Sequence, residues 1–194
     1  KAGFFSPLPP ARTGVADYAA ALVGAMRRTG DVEIDDQNAD VCLYHLGNNQ
    51  LHRDIYRRAL ARPGVVVLHD AVLHHFFLGT LDQAAYVEEF AYNYGAWSAE
   101  LARGLWRNRA RSAADPRYFE YPMLRRIGET SRAVVVHNPG AAAMVRAHAP
   151  AARVVEIPHL YVDVPAPPAL ALPRPLFGVF GHLRESKRLF SVLK

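Results

Sequence analysis

A single cysteine, Cys42, is all the sulfur chemistry of the thiol kind that this 194-residue chain holds. One thiol excludes an intramolecular disulfide and any cysteine-based zinc cluster, and fits a reducing, cytoplasmic compartment. Long apolar runs are also missing. None approaches the ~18 residues that a membrane span needs, and no signal-peptide pattern stands at the start. Charge is ordinary for a globular chain, with 21% Asp, Glu, Lys and Arg, and its net excess is a modest +5. The positive side is carried by separated pairs, Arg27-Arg28, Arg57-Arg58 and Arg125-Arg126, and no basic block exists. Such pairs read as solvated helix faces or as contacts for acidic ligands, nucleotide phosphates or anionic lipid headgroups among them. With no recognition motif beside them, nucleic acid is not an expected partner.

What the chain does have is a series of short apolar runs closed by polar residues. The plainest is Val65-Val66-Val67-Leu68, entered through Pro63-Gly64 and ending on His69-Asp70. Four apolar residues after a breaker predict a strand buried on both faces. Ligands of open parallel sheets bind at the carboxyl ends of strands, where strand gives way to helix, so His69-Asp70 is placed for chemistry. The bland alternative makes Asp70 a helix N-cap and His69 a satisfied loop residue.

Taken in order, Gly3–Ser6 predicts the end of a first strand. The following loop, with Pro7, Pro9 and Pro10, cannot be helix or inner strand. A helix follows with Val15, Tyr18, Leu22 and Met26 on one face, Arg27-Arg28 in its last turn and Gly30 as its stop. Thr13-Gly14 therefore lies at a helix N-terminus, where free N–H groups and the dipole favour phosphate, although many such helix starts bind nothing. Val32–Ile34 and Val41–His45 predict two more strands. The link between them is shorter than the ~10–12 residues of a parallel crossover. Either the two are not neighbours or a segment is missing from the sequence, and the second reading is favoured.

Asn48 and Asn49, in the loop after the third strand, are candidates for binding sugar hydroxyls; loops of this type before helices are also common without any ligand. The next helix is expected to bury Leu51, Ile55 and Ala59 and expose Arg53, Asp54, Arg57 and Arg58. Residues 71–128 read as almost wholly helical. Their aromatic series, Phe76, Phe77, Tyr86, Phe90, Tyr94, Trp97 and Trp106, reads as core, the alternative being an amphipathic membrane face. Asp115-Pro116 breaks that run. Ala133–Val136 predicts a strand followed by His137-Asn138, with Asn138 as N-cap and Pro139 as first helical residue. Arg153–Ile157 predicts another strand. From Pro158 to Pro175 lie six of the 14 prolines, an extended linker. A strand at 176–180, a loop at 181–188 and a truncated helix then open a second domain. The fold class is α/β, a parallel sheet flanked by helices.

The proline-rich loop ending Thr13-Gly14-Val15-Ala16-Asp17-Tyr18, the strand ending His69-Asp70, His137-Asn138, Ile157-Pro158-His159 and the Gly181…Lys187-Arg188 loop occur in a familiar order. Together they resemble the N-terminal Rossmann-like half of a retaining glycosyltransferase of family 4, the group 1 transferases of GT-B fold. The resemblance spans nearly the whole chain and rests on order rather than on one motif. It implies an acceptor-side domain at 1–157, a linker at 158–175 and the start of the nucleotide-sugar-binding domain at 176–194. It also implies transfer of a sugar from a nucleotide-sugar to a glycan or lipid-linked acceptor, with retention and without a metal or other cofactor. The setting would be bacterial polysaccharide synthesis in the cytoplasm, at the inner face of the membrane.

Carried over by resemblance, Gly14, with Thr13, approaches the donor diphosphate. His69 sits beside the transferred sugar or acceptor. Lys187, with Arg188 and His182, neutralises the leaving diphosphate. Asn48, Asn49, Asp70 and His137 face the acceptor. The chain departs from the pattern at Thr13, where many members have glycine, at His182, where many have arginine, and at Leu160, where many have glycine. The paired-glutamate motif of the family would lie beyond Lys194, so the fragment by itself is expected to be inactive. Two other classes compete. One is a metal-dependent phosphohydrolase built on His69-Asp70 with His74 and His75, although adjacent helical histidines diverge by about 100°. The other is a non-catalytic Rossmann-like sugar- or nucleotide-binding module.

Overall fold

The computed structural model describes residues 1–160; the predicted strand at 176–180, Lys187, Arg188, His182 and most of the proline-rich linker lie outside the described residues. The strands are β1 (Ala2–Phe5), β2 (Val32–Ile34), β3 (Val41–Leu46), β4 (Val65–Leu68), β5 (Ala133–Val136) and β6 (Val154–Glu156). The helices are α1 (Gly14–Met26), α2 (Arg53–Ala61), α3 (His74–Thr80), α4 (Gln83–Tyr94), α5 (Ala99–Arg107), α6 (Arg117–Glu120), α7 (Arg125–Thr130) and α8 (Pro139–His148). The six strands form one sheet in the order β2-β1-β3-β4-β5-β6, every neighbouring pair parallel. This is an α/β, Rossmann-like architecture, as the alternation of short apolar runs with helical segments predicts.

Parallel strands buried on both faces explain the runs of β-branched residues. Val66, Val67 and Leu68 of β4 and Val134, Val135 and Val136 of β5 are all buried. Side chains alternate between the faces. Phe5, Cys42, Tyr44, Leu46, Val66 and Leu68 join the larger core with residues of α2–α8. Phe4 and Leu43 face the other way and pack with Ala19, Val23 and Leu22 of α1. The buried stripe of α1 is Ala16, Ala19 and Val23, one position away from the predicted face, and Tyr18 is left half-buried at its edge.

Strand order resolves the short link between β2 and β3. The two strands are not neighbours; both pair with β1, on opposite sides. The connection passes back across β1, and it does so at Gly3, where a Cβ would stand 2.2 Å from the Asp36 carbonyl oxygen. Asp35 N–H donates to the Phe4 carbonyl, and the Arg62 guanidinium donates to the Ala39 carbonyl. No added residues are needed to make the crossing.

The helical region departs from its predicted continuity. Gly95, at φ 94°, ends α4. The chain is irregular again between α6 and α7, where the Tyr121 carbonyl accepts from His74 Nδ1 at 2.8 Å. Phe76, Phe77, Tyr86 and Phe90 are core as expected, but Trp97 is 73% exposed. On α2, Ala59 is buried with Tyr56, while Leu51 is exposed ahead of the helix.

Candidate functional site

Four successive strands each deliver one histidine to the carboxyl edge of the sheet. His45 is the penultimate residue of β3, on the face of Leu43, fully buried against Phe4 and α1. His69 follows β4 directly, and its N–H donates to the Leu46 carbonyl, extending the ladder by one bond. His137 follows β5, its Nδ1 bonded to the Ile157 carbonyl at 2.9 Å. His159 lies just past β6.

The rings form a row. Their centroids are 5.2 Å apart for His45–His69, 5.3 Å for His69–His137 and 4.1 Å for His137–His159. His45 Nδ1 and His69 Nε2 are 2.9 Å apart and share one proton, one nitrogen donating and the other accepting. Tyr18 of α1 packs edge-on against His69, His137 and His159, with centroids 5.0, 5.5 and 5.3 Å away. A cavity of about 280 Å³ opens beside the row, lined by His69, Asp70, His137, Asn138, Met144 and His159.

Burial fixes the charge state of His45, His69 and His137. It pushes His45 down to about 3, with the neighbouring imidazoles of His69 and His137 acting in the same direction. His69 is likewise lowered to about 3 by burial and by His137. Burial also lowers His137, against the Ile157 carbonyl bond that favours its charged form. These imidazoles are neutral at pH 7, and a neutral imidazole offers one donor, one acceptor and an aromatic face. Such groups suit hydroxyls better than phosphates.

The loop after β3 is tied to the row. Asn48 N–H donates to Asp70 Oδ2 at 2.8 Å, and Asn48 Oδ1 accepts from the Phe76 N–H at 2.8 Å. Asn49 Oδ1 accepts from Leu51 N–H at 3.0 Å and caps a short 3₁₀ turn. Both asparagines thus hold backbone, and Asp70 holds the loop while lining the cavity. Asp70 caps no helix, since α3 starts four residues later with Leu73 at its N-cap. Buried His52 donates from Nδ1 to the His45 carbonyl at 3.0 Å. Gly47 is required here, because a Cβ would lie 2.9 Å from His52 Nε2 and 3.2 Å from Asp70 Oδ2.

His74 has no nitrogen left for a ligand: Nδ1 donates to the Tyr121 carbonyl, and Nε2 accepts from the Tyr86 hydroxyl at 2.7 Å. Among the described residues no group of three His, Cys, Asp or Glu side chains is arranged to hold a metal ion.

Thr13 and Gly14 lie at the other predicted position, the start of α1. Thr13 Oγ1 caps the helix by accepting from Ala16 N–H at 3.1 Å. Gly14 has nothing within 4 Å of where a Cβ would stand, and an open cavity of about 400 Å³ is lined by Pro9, Pro10, Arg12, Thr13, Gly14 and Asp17. Arg12 favours an anion there and Asp17 opposes it.

No protein-family model, curated protein or solved structure matches the chain. Among the described residues no helix is long and apolar enough to cross a membrane. Of the predicted site residues, His69, Asp70 and His137 come together around one cavity. Tyr18, His45, His52 and His159 were missed as site residues. Two of these, His45 and His159, carried a readable signal, since each apolar run from β3 onward is closed by a histidine, His45, His69, His137 or His159, within three residues of its end.

Proposed function

We propose that residues 1–157 are the acceptor-side half of a glycosyltransferase of the GT-B type, taking a sugar from a nucleotide-sugar with retention and without a metal. The observation that carries this reading is the row of imidazoles at the carboxyl edge of a parallel sheet, with His45, His69 and His137 held neutral by burial. Hydroxyl-rich acceptors need many directional donors and acceptors and no fixed charge, which the row supplies. The strand order changes direction between β1 and β3, and the crevice at such a point is where open α/β sheets bind ligands. Thr13-Gly14 leaves from β1 and the histidine row begins on β3, so a donor on one side and an acceptor on the other would meet across that crevice.

His69 is assigned to the hydroxyl next to the reacting carbon. With its proton affinity so low, it serves as a neutral hydrogen-bond partner that orients the acceptor, not as a strong base. Lys187 and Arg188 are assigned to the leaving diphosphate, where charge develops in the transition state.

The test is nucleoside diphosphate release by the complete gene product from a panel of UDP- and GDP-sugars, with and without EDTA. Release from one donor, unaffected by EDTA and lowered ~10²-fold in a folded His69→Ala protein, is expected. Activity abolished by EDTA would favour the phosphohydrolase. Sugar-nucleotide binding without turnover, with every acceptor tried, would favour the binding module.

A further inference from the structure

A second cavity, of about 470 Å³, shares no residue with the one beside the histidine row. It is walled by Leu60 of α2, by Phe76 and Phe77 of α3 and by Leu81. Most of its lining is apolar, and its size falls in the range of small-molecule sites. Arg53, Tyr56, Arg57 and Leu60 all line it, as the spacing i, i+3, i+4, i+7 along one face of α2 requires.

Two features of this cavity are not explained by packing. Tyr56 is 93% buried by the measure of its 7% exposure, yet its hydroxyl has no hydrogen-bond partner among the described residues. A buried hydroxyl without a partner costs about 1–3 kcal/mol. The second feature is charge. Arg53 and Arg57 stand one turn apart on α2, a mutually repelling spacing, and neither enters an ion pair among the described residues. The acidic group in the lining, Glu89, is already neutralised by Arg126 at 2.6 Å. The mouth is therefore positive and the walls are apolar.

We infer that this cavity binds an amphiphilic anion, a molecule with one apolar chain or ring and a single phosphate or carboxylate head. The apolar body lies against Leu60, Phe76, Phe77 and Leu81. The head is held by Arg53 and Arg57, and a polar atom near the head engages the Tyr56 hydroxyl. The inference stands apart from the sugar-transfer reading, since no donor or acceptor enters it.

The probe is decyl phosphate below its micelle concentration, titrated into the full chain by calorimetry, with decanol and inorganic phosphate as separate arms. One-to-one binding of decyl phosphate is expected, with decanol ~10-fold weaker or more and inorganic phosphate weaker still. Arg53→Ala/Arg57→Ala, at exposed positions, removes ~10-fold or more of the affinity. Tyr56→Phe, which breaks no hydrogen bond within the described residues, weakens binding several-fold and leaves the melting temperature in place. Leu60→Trp fills the cavity and abolishes binding. The proposal is overturned if decanol binds as tightly as decyl phosphate, or if either the arginine-free or the Tyr56→Phe protein binds like the parent.

Discussion

Acidification should destabilise this protein well before its carboxylates titrate. His45 and His69 are held near 3 and His74 near 4, chiefly by burial. The unfolded chain titrates these groups near 6.5, so it takes up more protons than the folded one as pH falls, and stability falls with it. Each imidazole withdraws about 1.2 kcal/mol between about pH 7 and about pH 5.5, and the three together withdraw about 4 kcal/mol. That is a large share of the roughly 5–15 kcal/mol of a typical domain. His52, His137 and His148, lowered in the same direction, add to the loss. Glu89, raised by burial, opposes it at the acid end of the window. Urea unfolding at a series of pH values measures the slope directly. His45→Gln should remove about a third of the three-histidine slope while NMR shows the ring protons of His69 and His74 unmoved down to about pH 5.5. A stability that is flat over this window, or imidazole midpoints near 6.5, would refute the assignment of these rings as buried and neutral.

Other perturbations have equally definite outcomes. Gly3→Ala forces a Cβ into the Asp36 carbonyl and should cost about 1–3 kcal/mol in urea unfolding. Gly14→Ala, with open space around it, should stay within about 0.5 kcal/mol in the same assay. Arg126→Ala strands the buried Glu89 carboxylate and should destabilise by about 2–3 kcal/mol at neutral pH, clearly more than Glu89→Gln, which removes the charge with its partner left half-exposed. Asn138→Ala removes the side-chain acceptor from the Ala141 N–H at the start of α8 and should cost about 1 kcal/mol by thermal melt.

The strands were the most legible part of the chain. Each is a short apolar run set off by Pro, Gly or a polar pair, and all six lie within a residue or two of their predicted bounds. Their order was not legible, because nothing local in Val32–Ile34 says that it pairs with β1 alone; a carbonyl passing over Gly3 is a tertiary fact. Residues 71–128 looked continuous for a related reason. Aromatic spacing reports a helical face, whereas the breaks are set by distant partners such as the Tyr121 carbonyl on His74 and the Tyr94 hydroxyl on Met123 N–H. Asn48 and Asn49 looked like ligand contacts because a sequence cannot show whether an amide is already used by backbone.

The histidine row links stability to function in one set of atoms. His45 Nε2 and His137 Nε2 are buried without a partner among the described residues, although each lies in a ring whose other nitrogen is bonded. Leaving such groups unmatched in the folded state costs free energy, and so does holding three imidazoles neutral below pH 6.5. A protein selected for stability alone would place apolar residues at these positions, as it does at Val67 and Val135, two residues before His69 and His137. On the proposed function, a hydroxyl ligand in the cavity lined by His69, His137 and His159 would offset part of this cost. A ligand that binds the folded state alone raises stability by an amount set by its concentration over its Kd. On the proposed function, a sugar acceptor that binds these neutral rings should raise stability by the same amount from about pH 7 to about pH 5.5 and leave the acid slope unchanged. A sugar whose stabilisation grew as pH fell would require a ring of the row to take up a proton in the complex, and would refute the assignment of these rings as neutral.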